Sequence, residues 1–208
     1  MSIKDQGRSI DSLRLYGGVL CLDFVNTVHS RVEAVTFDYI KDYGDLLRWL
    51  RRCEAAPDQV MSMLKEWYAT DRQGSDTALN EIKEIRDLLY RITSALAAGG
   101  SPEKTDLNRF QNLVEKTWAY LSIEPGRRSW KWAWSSQKID LGHPVRLVIK
   151  SAAELLLSDH VVRIKECPAC GWVFLDRSKN SSRRWCSMET CGSIDKASRY
   201  YYRRKGNA

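Results

Sequence analysis

Four cysteines in the last quarter of the chain have the spacing of a metal site. Fifteen residues separate a C-x2-C pair from a C-x4-C pair, and the four candidate ligands are Cys167, Cys170, Cys186 and Cys191. Two such pairs can direct four thiolates at one ion in the tetrahedral arrangement that zinc prefers. Two disulfides are the alternative, which a reducing compartment disfavours, and an iron–sulfur or redox-thiol site is a further one. The spacing therefore predicts a bound Zn²⁺.

The expected role of this ion is structural. Four protein ligands leave no open coordination position, and a segment this short cannot bury enough apolar surface to fold by itself. The other two cysteines, Cys21 and Cys53, stand alone and are expected to be small buried residues. The chain has three histidines, and no nucleophile–base pair or phosphate-binding loop stands out. We therefore expect that the protein is not an enzyme.

The excess of positive charge is confined to the same part of the chain. Residues 161–208 contain 11 Lys and Arg against 4 Asp and Glu, which accounts for the whole net charge of +7. Such asymmetry favours a polyanionic partner, with nucleic acid first and an acidic membrane surface second. A basic tail that only aids solubility is the alternative. The candidate phosphate contacts are Arg177, Lys179, Arg183, Arg184, Lys196, Arg199, Arg203 and Arg204.

Hydrophobic periodicity predicts a helical first part. Apolar residues at steps of three and four indicate helices over 77–100, 105–118 and 143–159, with shorter ones over 42–52 and 57–69. Pro125-Gly126, followed by alternating tryptophans, predicts a β-hairpin. The fold class is then mainly α with a small β-hairpin, in a domain spanning 1–160.

The cysteine-containing segment, 161–208, is predicted to be a small zinc-binding α+β module of treble-clef or ribbon-like type. We expect a strand over 172–175, a returning strand at "RRWC" and a helix after the last cysteine.

Two polar residues interrupt the apolar segment "YGGVLCLDFVNTVHSR". They are Asp23 and Asn26, close to apolar residues at helical spacing. Their side chains could satisfy nearby backbone groups in the core, or they could line a pocket for a small molecule between helices. The sequence leaves both interpretations open.

Bulk composition limits the class of protein. The chain is 43% hydrophobic and 28% charged, which is typical of a soluble globular protein. The polar start does not resemble a secretory signal, and no apolar run approaches the roughly 18 residues of a membrane-spanning helix. A cytoplasmic protein without a membrane partner is expected.

The stretch "CPACGWVFLDRSKNSSRRWCSMETCG" closely resembles the zinc finger of the CGNR family, a bacterial group of transcription regulators. The stretch "GGVLCLDFVNTVHSR" is similar to the opening of the ABATE domain that precedes this finger. The resemblance implies that the four cysteines hold the metal, that the finger binds DNA, and that the first domain binds a small ligand in a stress response. The chain departs from the family at Ser193-Ile194, where the family has Asn-Arg, and this removes one donor for DNA.

These observations together predict a zinc-dependent, DNA-binding transcriptional regulator whose first domain senses a ligand or a partner. An alternative is a zinc-stabilised protein-interaction module, or an RNA-binding protein, without sequence-specific DNA binding. A second copy of the chain is a further candidate partner.

Overall fold

A computed structural model describes residues 7–34, 36–135 and 138–197 of the chain. The α-helices that lie wholly within this part are α1 (Leu20–Val25), α2 (Tyr43–Arg52), α3 (Asp58–Thr70), α4 (Arg72–Ala97), α5 (Lys104–Trp118) and α6 (His143–Leu156). The strands are β1 (Leu121–Pro125), β2 (Trp130–Trp134), β3 (Ile164–Glu166) and β4 (Val173–Leu175). A short 3-10 helix covers Asp159–Arg163, a π-helical turn covers Met188–Gly192, and residues 193–197 are also helical.

Helix α4 forms the centre of the molecule and contacts each of the other five α-helices. Its buried stripe includes Ile82, Leu89 and Ile92, as the periodicity predicts. The helix begins five residues before the predicted start, because the carboxylate of Asp71 caps it by accepting the N–H of Gly74 at 2.8 Å. It ends before Gly99, whose positive φ of 74° suits a helix terminus.

The predicted hairpin is present as the antiparallel pair β1–β2. Ile123 pairs with Trp132, and Leu121 pairs with Trp134, so these apolar side chains share one face. Trp132 contacts Trp118 of α5 edge to face, with 6.0 Å between the ring centroids. The fold is therefore mainly helical, with small β-hairpins, as expected.

The second strand pair corrects one sequence prediction. Strand β4 pairs with β3, which precedes the first cysteines, and Glu166 faces Val173 in the register. The predicted returning strand at 183–186 is wrong, since these residues are not in a strand. Side chains hold this segment instead: Lys165 donates to the carbonyls of Ser181 and Arg183.

One apolar core includes residues from both parts of the chain. Strand β4, with all three residues buried, packs against α1 and α4, so Val173, Phe174 and Leu175 lie in the same cluster as Leu22 and Leu88. The boundary between a domain of 1–160 and one of 161–208 stays a prediction. Within the described residues, no helix has the length and apolar character needed to cross a membrane.

Candidate metal centre and its basic surface

The first cysteine pair lies in the tight turn between β3 and β4. The N–H of Cys167 donates to the carbonyl of Trp172, and the N–H of Gly171 donates to the carbonyl of Cys167, both at 2.8 Å. Gly171 has a φ of +73°, and a Cβ there would lie 2.7 Å from the Cβ of Arg31. The turn therefore requires glycine for its backbone and for its close approach to the first part of the chain.

The second pair brackets the π-helical turn. Ser187 caps this turn by accepting the N–H of Thr190 at 3.3 Å, and its carbonyl accepts the N–H of Gly192 at 3.0 Å. Both interactions bend the chain so that Cys186 and Cys191 approach each other.

The four sulfurs meet at one point. All four Sγ atoms lie within 4.8 Å of one another, and Cys186 Sγ lies 3.6 Å from both Cys170 Sγ and Cys191 Sγ. A tetrahedral ion with bonds of about 2.3 Å to sulfur separates its ligands by about 3.8 Å. The donor set and its spacing thus fit one thiolate-binding metal ion, and the chemistry of four sulfurs is most typical of zinc.

The thiols also show why a cation suits this cluster. Hydrogen bonds from the thiols of Cys170 and Cys186 lower the pKa of Cys167. The pKa values of those two donors are raised, first because each donates to a neighbouring sulfur, with burial and like charge adding to the effect. One thiolate is therefore favoured and further ones are opposed, so a bound dication is needed to hold four.

Asp176 orders the loop between the two cysteine pairs. Its fully buried carboxylate accepts hydrogen bonds from Lys165 Nζ at 2.7 Å and from the N–H groups of Ser178 and Arg183 at 2.9 Å. Burial alone would raise the pKa of Asp176, but these hydrogen bonds outweigh it and hold the pKa below its usual range. The sequence reasoning missed Lys165, because its partner lies eleven positions away across the β3–β4 hairpin.

Two of the predicted phosphate contacts are bound within the molecule. Arg177 donates to the carbonyl of Gly18 at 2.8 Å. Arg183 lies over the ring of Phe174 and donates to the carbonyls of Trp185, Cys186 and Tyr16. Their charges lie at the surface of the finger, but their hydrogen bonds hold it to the first part of the chain.

Three of the remaining predicted phosphate contacts lie in the described part of the chain, and three lie outside it. Lys179, Arg184 and Lys196 are exposed, and the guanidinium of Arg184 lies 5.2 Å from the ring centroid of Trp185. Arg199, Arg203 and Arg204 lie outside the described residues. Contact of any of these residues with nucleic acid stays a prediction.

Asp23, within α1, and Asn26, at its C-terminal end, have different surroundings in the structure. Asn26 is 1% exposed, and its amide makes two hydrogen bonds with the backbone of Val173, donating at 2.8 Å and accepting at 3.0 Å. It therefore satisfies buried backbone of the finger, 147 positions away. Asp23 instead lines a cavity of about 420 Å³ beside Arg52, Cys53 and Glu54. A ligand at either residue stays a prediction.

Comparison with protein-family models gives two matches that together cover most of the chain. Residues 18–159 match the ABATE family, described as "Putative stress-induced transcription regulator". Residues 163–204 match the CGNR zinc finger. The metal cluster lies inside the second match, and α1 to α6 lie inside the first. No curated protein matches the chain.

Proposed function

Because the chain belongs to the ABATE family and carries a CGNR zinc finger, we propose that it is a zinc-dependent, DNA-binding transcriptional regulator. Its first domain senses a small ligand or a partner. The protein acts in the cytoplasm and performs no catalysis of its own. The family description supports the regulatory role, and the four-cysteine cluster supports zinc.

One observation carries the proposal of DNA binding: the excess positive charge of the chain lies in the finger, where the buried carboxylate of Asp176 is paired with a lysine. Asp176 pairs with Lys165 inside the finger and so presents no charge to a partner. Lys179, Arg184 and Lys196 remain exposed around a scaffold that the metal cluster makes rigid. A compact, cationic surface of this kind attracts the phosphates of duplex DNA over long range.

Zinc bound by the four thiolates supplies a cross-link between the β3–β4 turn and the π-helical turn. The chain's own residues then determine the surface that meets DNA. Asp176 and Lys165 fix the loop that carries Lys179, and the ring of Trp185 supports the guanidinium of Arg184. Sequence preference depends on side chains that hydrogen-bond with base edges. Ile194 cannot do so, because its side chain has no donor or acceptor.

A salt series tests DNA binding directly. We expect the affinity of the zinc-loaded full chain for duplex DNA to fall as salt rises, with a log–log slope that counts the phosphate contacts. Arg184→Ala should weaken binding and reduce the slope by about one. Lys65→Ala, which removes an exposed cation from α3, is the matched control and should leave the slope unchanged. No binding at low salt, or a slope near zero, would refute the proposal.

A second candidate function has its own observation. Ile194 is 66% exposed and Met188 is 49% exposed, so two apolar side chains stand at the surface around the last cysteine. Such a pair suits contact with a protein better than contact with phosphate. If the chain binds no DNA but captures an acidic partner, and Ile194→Ser weakens that capture, the finger is a protein-interaction module.

A further inference from the structure

A cavity lies where the entrance to α1 meets the end of α2. Its volume is about 420 Å³, and its walls combine the apolar side chains of Leu15, Val19 and Leu20 with polar residues from both helix ends. This is within the range of sites that hold small molecules.

The charged groups of this cavity favour a cationic ligand. The guanidinium of Arg52 already donates to the carbonyls of Ile10 and Leu13. The thiol of Cys53 stays neutral, because burial raises its pKa to about 12. Neutral carbonyl acceptors leave the charge of Arg52 in place, so the carboxyl groups of Asp23 and Glu54 set two negative charges against one positive charge in the lining. Together with the apolar wall, they suit a small organic cation that carries an apolar arm.

Gly18 lines one side of the cavity and is the last residue of a short segment that hydrogen-bonds with the finger. The segment is 16–18, and its three successive carbonyls all accept hydrogen bonds from the finger. The carbonyl of Tyr16 accepts from Arg183 at 3.5 Å, and that of Gly18 accepts from Arg177 at 2.8 Å. Between them, the carbonyl of Gly17 accepts the N–H of Leu175 in β4 at 2.9 Å.

The same segment is fixed from the cavity side by Asp23. The carboxylate of Asp23 accepts the N–H of Gly17 at 2.7 Å and a backbone hydrogen bond from Gly18. Close packing reinforces this arrangement, since a Cβ on Gly17 would lie 2.5 Å from the N atom of Asp23. Segment 16–18 is therefore bound from two sides. Asp23 accepts its N–H groups, and residues of the finger donate to its carbonyls.

We infer that this cavity is a regulatory site for a small organic cation, and that segment 16–18 transmits its occupancy to Arg177 and Arg183 of the finger. The inference deepens the proposed function, because it names the ligand class and the route between the two parts. A cation that pairs with Asp23 draws on the negative charge of the same carboxylate and so weakens the hydrogen bond that Gly17 donates to it. The weakened segment then releases its hold on β4 and on both arginines.

Hydrogen exchange of the zinc-loaded full chain tests the route without any nucleic acid. Asp23→Ala removes the acceptor for Gly17, so the amide of Leu175 should exchange at least about tenfold faster. Asp23→Asn keeps an acceptor oxygen and should restore slow exchange. Asp76→Ala removes an exposed carboxylate of α4 and is the control. Amides in the centre of α4 should be unaffected in all three variants.

Two results would overturn the route. One is exchange at Leu175 in Asp23→Ala that equals the rate in Asp76→Ala. The other is equal acceleration at Leu175 and in α4, because the substitution would then act by lowering the stability of the whole protein.

The ligand class is tested with benzylammonium and benzoate, two probes of similar size and opposite charge. Benzylammonium should bind with millimolar affinity, as expected for a fragment of this size, and should speed exchange at Leu175. Glu54→Gln should weaken its binding at least several-fold while leaving exchange in the free protein unchanged. Preferred binding of benzoate, or no binding of benzylammonium at about 10 mM, would overturn the assignment of a cation site.

The two proposals can fail separately. If exchange responds to Asp23→Ala and to benzylammonium but no DNA is bound, the regulatory site stands and the DNA-binding function falls. If DNA is bound and neither change affects Leu175, the DNA-binding function stands and the transmission route falls.

Discussion

The side chain of Asn26 joins the two parts of the chain, and its removal should destabilise the whole protein. Its amide donates to the carbonyl of Val173 and accepts the N–H of the same residue, and both residues are buried, with exposures of 1% and 0%. Asn26→Ala leaves both backbone groups without a partner in the core. Each such group costs about 1–3 kcal/mol, so the expected loss for the two is about 2–6 kcal/mol in the free energy of unfolding.

Such a loss is a large share of the roughly 5–15 kcal/mol that stabilises a typical domain. Denaturant unfolding of the zinc-loaded protein, followed by circular dichroism and tryptophan fluorescence, measures it. Asn80→Ala is the matched control, because Asn80 is an exposed asparagine of α4, and its loss should change stability by less than about 0.5 kcal/mol.

A second measurement connects Asn26 with the metal. Strand β4 leads out of the turn that carries Cys167 and Cys170, so loosening β4 should also speed the release of zinc to a chelator. The reasoning is refuted if Asn26→Ala and Asn80→Ala have the same stability and the same rate of zinc release. It is also refuted if only the release rate changes, because the shared core would then not depend on this contact.

Three further predictions follow from the geometry. Chelation of the metal should lower the melting temperature of the whole chain, seen as a loss of helical circular dichroism; unchanged melting would contradict a structural ion. Gly171→Ala should destabilise more than Gly99→Ala, because both have positive φ but only Gly171 would place its Cβ against Arg31; equal unfolding midpoints would contradict this. The third concerns acid. Burial raises the pKa of Asp23 from 3.8 to about 6, and burial lowers that of His143 from 6.5 to about 4. As pH rises from 4 to 6, the Asp23 contribution is lost while the His143 contribution is gained, so the two oppose each other. Compared with the unsubstituted protein, Asp23→Asn should remove a fall of about 3 kcal/mol between pH 4 and 6, and His143→Gln should remove a rise of similar size between pH 4 and 6.5; the difference in denaturant midpoints between variant and unsubstituted protein at each pH tests both.

The sequence predicted features that depend on local pattern. The apolar stripe through Ile82, Leu89 and Ile92 is a property of one helix, and the cysteine spacing is a property of two short turns. The alternating tryptophans likewise give the β1–β2 hairpin, whose two strands are close in the chain. In each case, the residues that interact lie within one element or two neighbouring ones, so periodicity and spacing carry the information.

Contacts between distant residues could not be predicted in this way. Nothing near Asn26 in the sequence indicates that its amide meets Val173, and a polar residue in an apolar helix is equally consistent with a ligand. The strand partner of β4 was misplaced for a related reason. Positions 183–186 follow the turn as a returning strand would, but Lys165 and Asp176 supply side-chain hydrogen bonds that replace a ladder there.

The basic residues of the finger show why charge alone does not define a binding surface. Arg177 and Arg183 contribute to the net charge as much as Lys179 and Arg184 do, yet their hydrogen bonds hold segment 16–18. Replacing Arg184 should therefore change DNA affinity with little effect on stability, whereas replacing Arg183 should lower stability and affinity together. The carbonyl of Cys186 also accepts from Arg183, so this residue links segment 16–18 to a metal ligand. Arg183 is therefore tied both to the segment beside the cavity and to the metal centre, which is why its charge cannot be counted as free for DNA.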